Sequence, residues 1–251
     1  MRKAMGKKKT QLMEQLREKF VEGAVRQDYD RSFAEDLFEK LARFAEYGFN
    51  RSHSAAYGEI TYQTAYLKAH FPREFYAAFL TLKSGNRDRI RKIARALQEE
   101  GHRLRSPDVN RSDQSFRVEG DAVRFGLGAV KHVGTELAET IVRERQNNEY
   151  QDLDDFLSRI PPNELSAKTF QSLAAGGCFS EITNRPRGSL IEEAEDLVER
   201  GSNLYAETES GQSTLFERDS GSSMESTETE WDDRRLRKAE REALGVVLSR
   251  P

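Results

Sequence analysis

A single cysteine, Cys178, stands in 251 residues, so neither a disulfide within the chain nor a thiolate metal cage can form. The four histidines, His53, His70, His102 and His132, show no ligand spacing such as HExxH, which argues against a zinc enzyme. No apolar run nears the ~18 residues of a membrane helix, and no apolar stretch follows the basic N-terminus as in a secretory signal. A soluble, cytoplasmic chain is the expectation. Apolar residues reach only 36% while charged ones make up 33%, well above the usual ~25%. The core must therefore be modest, in one large domain or two small ones.

What is present is unevenly placed. The formal charge of −3 hides seven basic residues against two acidic ones in residues 1–19, and seven acidic against one basic in residues 201–231. The acidic stretch is also rich in Ser, Thr and Gly and reads as a disordered linker.

Ahead of that linker, helical periodicity dominates. Leu12, Leu16, Phe20 and Ala24 recur every four residues, and Phe33, Leu37, Leu41 and Phe44 predict the inward face of a second helix packed on the first. A third helix is predicted from about Ser52 to Phe71, with Pro72 opening the next. Asn86 suits the cap of a helix that buries Ile90, Ile93 and Leu97 and leaves at Gly101. The segments around Glu119-Gly-Asp121 alternate as a short β-hairpin. Helices are predicted over Thr135 to Arg145, Asp154 to Ile160, Ser166 to Ala175 and Gly188 to Arg200, with a last one after Trp231.

Four constellations could carry chemistry. Arg2-Lys-Ala-Met-Gly-Lys-Lys-Lys9 precedes a helix start, where cations oppose the macrodipole unless an anion joins them. It suits a triphosphate or a nucleic-acid backbone, or else is a solvated terminus. Tyr47, Asn50, Arg51 and His53 crowd one turn, able to stack on a base and donate to phosphate, or equally to form a helix corner. The turn Val130-Lys-His-Val-Gly134 precedes a helix whose first amides could bind a phosphate oxygen without reading sequence; the competing reading is a plain turn. Asp152, Asp154 and Asp155 read as a helix cap and first turn rather than as metal ligands.

In this order the segments resemble the alpha subunits of bacterial DNA polymerase III, the C-family replicative polymerases. Residues 2–9 resemble the fingers motif LRRAMGKKK, and Tyr47 to Pro72 resembles YGFNKSHSAAYxxxSYQTxxLKAHYP. Ser106-Pro-Asp-Val-Asn110 is similar to PPDIN, and Phe125-Gly-Leu-Gly-Ala-Val-Lys131 to the YGLGAIKGVG helix-hairpin-helix element. Gly211-Gln-Ser-Thr-Leu-Phe216 and Glu240-Arg-Glu-Ala-Leu-Gly-Val-Val-Leu-Ser249 resemble GQxSLF and EREALGxYLSGHP. Two departures are visible: Lys3 replaces an Arg, keeping charge but not bidentate geometry, and His132 replaces a Gly at the hairpin.

The resemblance implies a mainly α fold. Residues 1–105 would be the C-terminal part of a fingers domain, and 106–200 a helix-hairpin-helix domain with a short β-hairpin. The linker at 201–231 and a helix over 232–251 leading to an OB-fold region would follow. It implies that Arg2 and Lys3 meet the triphosphate of a deoxynucleoside triphosphate, with Lys7 and Lys8 close by and Tyr47 and His53 lining the same nucleotide pocket. Lys131, His132, Val133, Gly134 and Thr135 would hold primer-template DNA. The family's palm acids sit in a PDIDxDF-type motif without counterpart here, so no catalytic residue or cofactor is assigned to this chain. Mg²⁺ is expected on a palm-bearing polymerase fragment, which with other replicase subunits would be its partner. The alternatives are a non-enzymatic DNA-binding module and a polymerase-interaction scaffold.

Overall fold

In the computed structural model, residues 10–47, 51–210 and 231–249 are described. The chain forms two compact units, residues 1–65 and 66–251.

In the first, α1 (Thr10–Val25) packs on α2 (Arg31–Tyr47). The Asp30 carboxylate accepts from the Ser32 hydroxyl at 2.5 Å and the Phe33 amide at 3.1 Å, starting α2. The buried face of α2 differs from the one its periodicity predicts. Ala34 and Phe38 are 1% and 3% exposed, whereas Phe33 and Leu37 are 57% and 38% exposed. The contact turns by one residue because Ala34 lets the helices approach closely and Phe38 meets Phe20, ring centroids 5.6 Å apart. The third helix, α3 (Arg51–His70), has no buried residue and runs on into the second unit.

There, Lys68 near the end of α3 bridges to Glu100 at 2.6 Å, and the Tyr76 hydroxyl donates to the same carboxylate at 2.9 Å. Pro72 opens α4 (Pro72–Leu82), and Asn86 caps α5 (Arg87–Glu99) by accepting from the Arg89 amide. Strand β1 (Arg103–Arg105) follows Gly101, which is left-handed with φ +82°. Strands β2 (Arg117–Glu119) and β3 (Ala122–Arg124) form the predicted hairpin through Gly120. The parallel pairing of β1 with β3, Leu104 opposite Val123, was not expected from sequence.

The rest is helical: α6 (Thr135–Asn147), α7 (Leu153–Arg159), α8 (Ala167–Gly176), α9 (Arg187–Glu192), α10 (Ala194–Ser210) and α11 (Asp233–Leu244). Phe125, Phe156, Phe170, Phe179, Ile141 and Leu244 sit in one continuous core. Asn110 and Tyr150 exchange two 2.8 Å hydrogen bonds, which pin the loop after β1 beside the end of α6.

The linker begins later than composition suggests. Residues 201–210 continue α10, which packs along α7 with Gly201 buried against Leu157. Apolar contact outweighs the polar composition there. The remainder of the proposed linker, residues 211–230, lies outside the described residues, as does Gly211–Phe216 within it.

Candidate nucleic-acid interface

A one-turn 3₁₀ helix (Leu127–Ala129) enters the hairpin, and α6 leaves it. The two valines act as pegs: Val130 is 3% and Val133 is 7% exposed. Val133 thus offers a partner only its backbone, while His132, Gly134 and Thr135 are exposed and Lys131 is half-buried.

His132 has φ +63°. An L-residue in this left-handed region costs roughly 1–2 kcal/mol relative to glycine. The turn therefore keeps the backbone shape that a glycine would favour, although its side chain is imidazole. Two contacts hold it: the Lys131 amide donates to the Ala243 carbonyl at 2.9 Å, and the Thr169 hydroxyl donates to the His132 carbonyl at 3.4 Å. Neither partner was foreseeable from sequence, since Ala243 and Thr169 carry no local pattern linking them to the turn.

Gly134 is the N-cap of α6 in extended conformation, φ −76° and ψ 166°, so positive φ is not its reason for being glycine. A Cβ there would meet nothing within 4 Å. No side chain caps α6. First-turn amides have no acceptor inside a helix, and here Thr135 and Glu136, which carry the first two, are exposed. Such a helix start attracts a phosphate oxygen, although the acidic Glu136 in the first turn opposes one.

The other candidate groups are placed differently. Arg2, Lys3, Lys7 and Lys8 lie outside the described residues, and Tyr47 ends α2 with its side chain outside them too. His53 is exposed in the first turn of α3, its ring 4.4 Å from that of Tyr57. The acids after Gln151 are occupied by structure: Asp152 accepts from the Asp155 amide at 2.8 Å, Asp155 pairs with Arg159 at 3.3 Å, and Asp154 pairs with Arg200 at 2.5 Å. Among the described residues no group of three His, Cys, Asp or Glu side chains is placed to hold a metal.

The strongest pKa shift beside a cleft lies elsewhere. Burial, with the Glu181 charge, pushes the Asp108 carboxyl up to about 6. Its Oδ1 still accepts from the amides of Asn110 at 2.8 Å and Arg111 at 3.0 Å.

A helix-hairpin-helix motif family matches residues 101–189, the segment that contains this turn. DNA polymerase III subunit alpha of Campylobacter jejuni is 40% identical over 86% of this chain. The same subunit of Caulobacter vibrioides is 36% identical, and that of Thermus aquaticus 37%, each over 99% of this chain. The chain is homologous to a segment of DNA polymerase III alpha subunits. It spans only about a fifth of the length of these curated relatives, 18% of the first, 22% of the second and 20% of the third. The described part is mainly helical with one small sheet. No helix among the described residues is long and apolar enough to cross a membrane.

Proposed function

We propose that the chain is a portion of a DNA-directed DNA polymerase acting in replication, and that it holds primer-template duplex by its backbone. The observation that carries this reading is the uncapped start of α6 presented by the His132 turn within a helix-hairpin-helix segment. Backbone amides donate to any phosphate, so the contact would position the duplex without reading sequence. Lys131 adds a charge beside them.

The fingers part of the proposal rests on the resemblance. Arg2 and Lys3 would meet the triphosphate of an incoming deoxynucleotide, with Lys7 and Lys8 close by and Tyr47 and His53 lining the same pocket. The cations would neutralise the leaving pyrophosphate. Mg²⁺ would belong to a palm; the acids at 152–155 are engaged in a cap and ion pairs. No metal-dependent step is assigned to the chain. Its partners would be a palm-bearing fragment and other replicase subunits in the cytoplasm.

Anisotropy titration of labelled duplexes of unrelated sequence tests the DNA reading. Equal affinities that fall with salt are expected; strong sequence preference, or no binding at low salt, overturns it. Adding primer-template, Mg²⁺ and nucleotides to the chain alone should give no extension. In complex with a palm-bearing fragment, Arg2→Ala, Lys3→Ala or His53→Ala should weaken nucleotide binding by roughly 1.5–3 kcal/mol for one charge-assisted contact.

A further inference from the structure

The α5 sequence places five cations within nine residues, Arg87 to Arg95, while burying Ile90, Ile93, Ala94 and Leu97. Two cations are engaged: Arg95 bonds Glu99 at 2.7 Å, and Arg91 pairs with Asp88 at 3.3 Å. Arg91 also joins α5 to another element, its Nε donating to the Gly245 carbonyl at 3.1 Å. Gly245 ends α11 in the left-handed region, φ +82°, so close to α5 that a Cβ there would lie 2.9 Å from that of Arg87.

The end of α11 is thus held at two places at once. One is Arg87 and Arg91 of α5; the other is the hairpin, through Ala243 and the Lys131 amide. Upstream, Arg234, Lys238 and Arg241 are exposed on the face of α11 opposite the buried Glu240, Ala243 and Leu244, and line one patch with Glu242 and with Arg237, which pairs with Asp233 at 2.8 Å. They lie in rows three and four residues apart, about 5–6 Å between neighbours. Among the described residues, Arg87, Lys131, Arg234, Lys238 and Arg241 form no ion pair. The start of α6 belongs to the same region, since Thr135 and Ser84, just ahead of α5, line one cleft of about 90 Å³.

We infer that these five cations form a second, electrostatic half of the DNA interface, running along α11 to the hairpin and taking successive phosphates of the duplex. This rests on the duplex-binding reading but adds Arg87, Arg234, Lys238 and Arg241, which lie outside the helix-hairpin-helix segment. Unpaired cations in a row on a solvated surface repel one another, and a polyphosphate removes that repulsion with release of its counterions.

The test separates the two halves by salt dependence. With the full chain and a labelled 20-bp duplex, Arg87→Ala, Lys238→Ala and Arg241→Ala should each lower the slope of log K against log salt by about 0.9. Arg241→Lys should retain it, and Arg26→Ala, in the first unit, should match the parent. Thr135→Pro removes one first-turn amide where proline is accommodated, so it should weaken binding with the slope unchanged. Parent-like slopes in all three alanine variants overturn the basic face, whatever the hairpin does. Reduced slopes with a parent-like Thr135→Pro support the face and count against the hairpin. Competition by polyglutamate as effective as by duplex, or no duplex binding by the parent, also overturns the inference.

Discussion

The amide of Lys131 donates to the carbonyl of Ala243 at 2.9 Å, joining the hairpin turn to the last turn of α11 across the acidic segment that separates them in sequence. The hairpin turn is therefore a tertiary object: its backbone is held by a helix that begins after residue 231. Four expectations follow from this and from neighbouring features.

Leu244 is fully buried beside that contact, with a side-chain atom 3.0 Å from where a Cβ on Gly176 would lie. Leu244→Ala should destabilise the second unit by about 2–5 kcal/mol. Because the hairpin hangs on the same helix end, duplex affinity should fall as well. Denaturant unfolding paired with anisotropy checks both; lost stability with unchanged affinity would mean that α11 does not support the turn.

His132→Gly should stabilise the fold by about 1 kcal/mol, since φ +63° suits glycine. Duplex binding should tighten because a Cβ leaves the approach to backbone. Gly134 differs. Its φ of −76° is open to any residue, so Gly134→Val brings no backbone strain; as a poorer N-cap it should cost about 1 kcal/mol at most, and its bulk should weaken duplex binding. Thermal melts of the two variants distinguish these cases.

Asp108 is 4% exposed, and its folded pKa of about 6 stands above the ordinary 3.8. The folded state therefore binds a proton more tightly than the unfolded state. Its contribution is fully favourable below pH 3.8 and is lost as pH rises through 6. Asp108→Asn keeps an oxygen for the amides of Asn110 and Arg111 and should stabilise the protein at pH 8 by up to ~3 kcal/mol. The gain should vanish near pH 4. Urea midpoints at the two pH values test this; an equal difference at both would place the carboxyl elsewhere on the pH scale.

Gly126→Ala should be severely destabilising, although the backbone there is ordinary, φ −79°. A Cβ would sit 2.5 Å from the carbonyl carbon of Ser115 and 2.7 Å from the Phe116 nitrogen, both backbone atoms that cannot swing away. Overpacking of this kind costs about 1–3 kcal/mol or more. Gly23→Ala, in the open on α1, gives the comparison: it should be neutral or slightly stabilising by chemical denaturation.

Much of the local structure was legible in the sequence. Pro72 opens α4, Asn86 caps α5, Asp152 caps α7, Gly177 ends α8 at φ +80°, and Gly120 turns the β-hairpin. These depend on φ preferences and on side-chain acceptors within three residues, which a short window contains. The start of α6 after Gly134 was visible for the same reason, as was the similarity of its turn to a helix-hairpin-helix element.

Other features were decided only when distant segments met. Period alone placed Phe33 and Leu37 inward, yet the helix pair turned to Ala34 and Phe38, because packing volume chooses between adjacent faces of similar apolarity. The run at 201–210 looked like linker and became helix once Gly201 found Leu157. Strand β1 acquired β3 as a parallel neighbour, and Lys131 acquired Ala243. The sequence by itself determined where helices start and stop and which turn could face a phosphate. Only tertiary packing decided what holds that turn and which cations stand beside it, since a backbone acceptor and a charge carry no record of the distant segment they will meet.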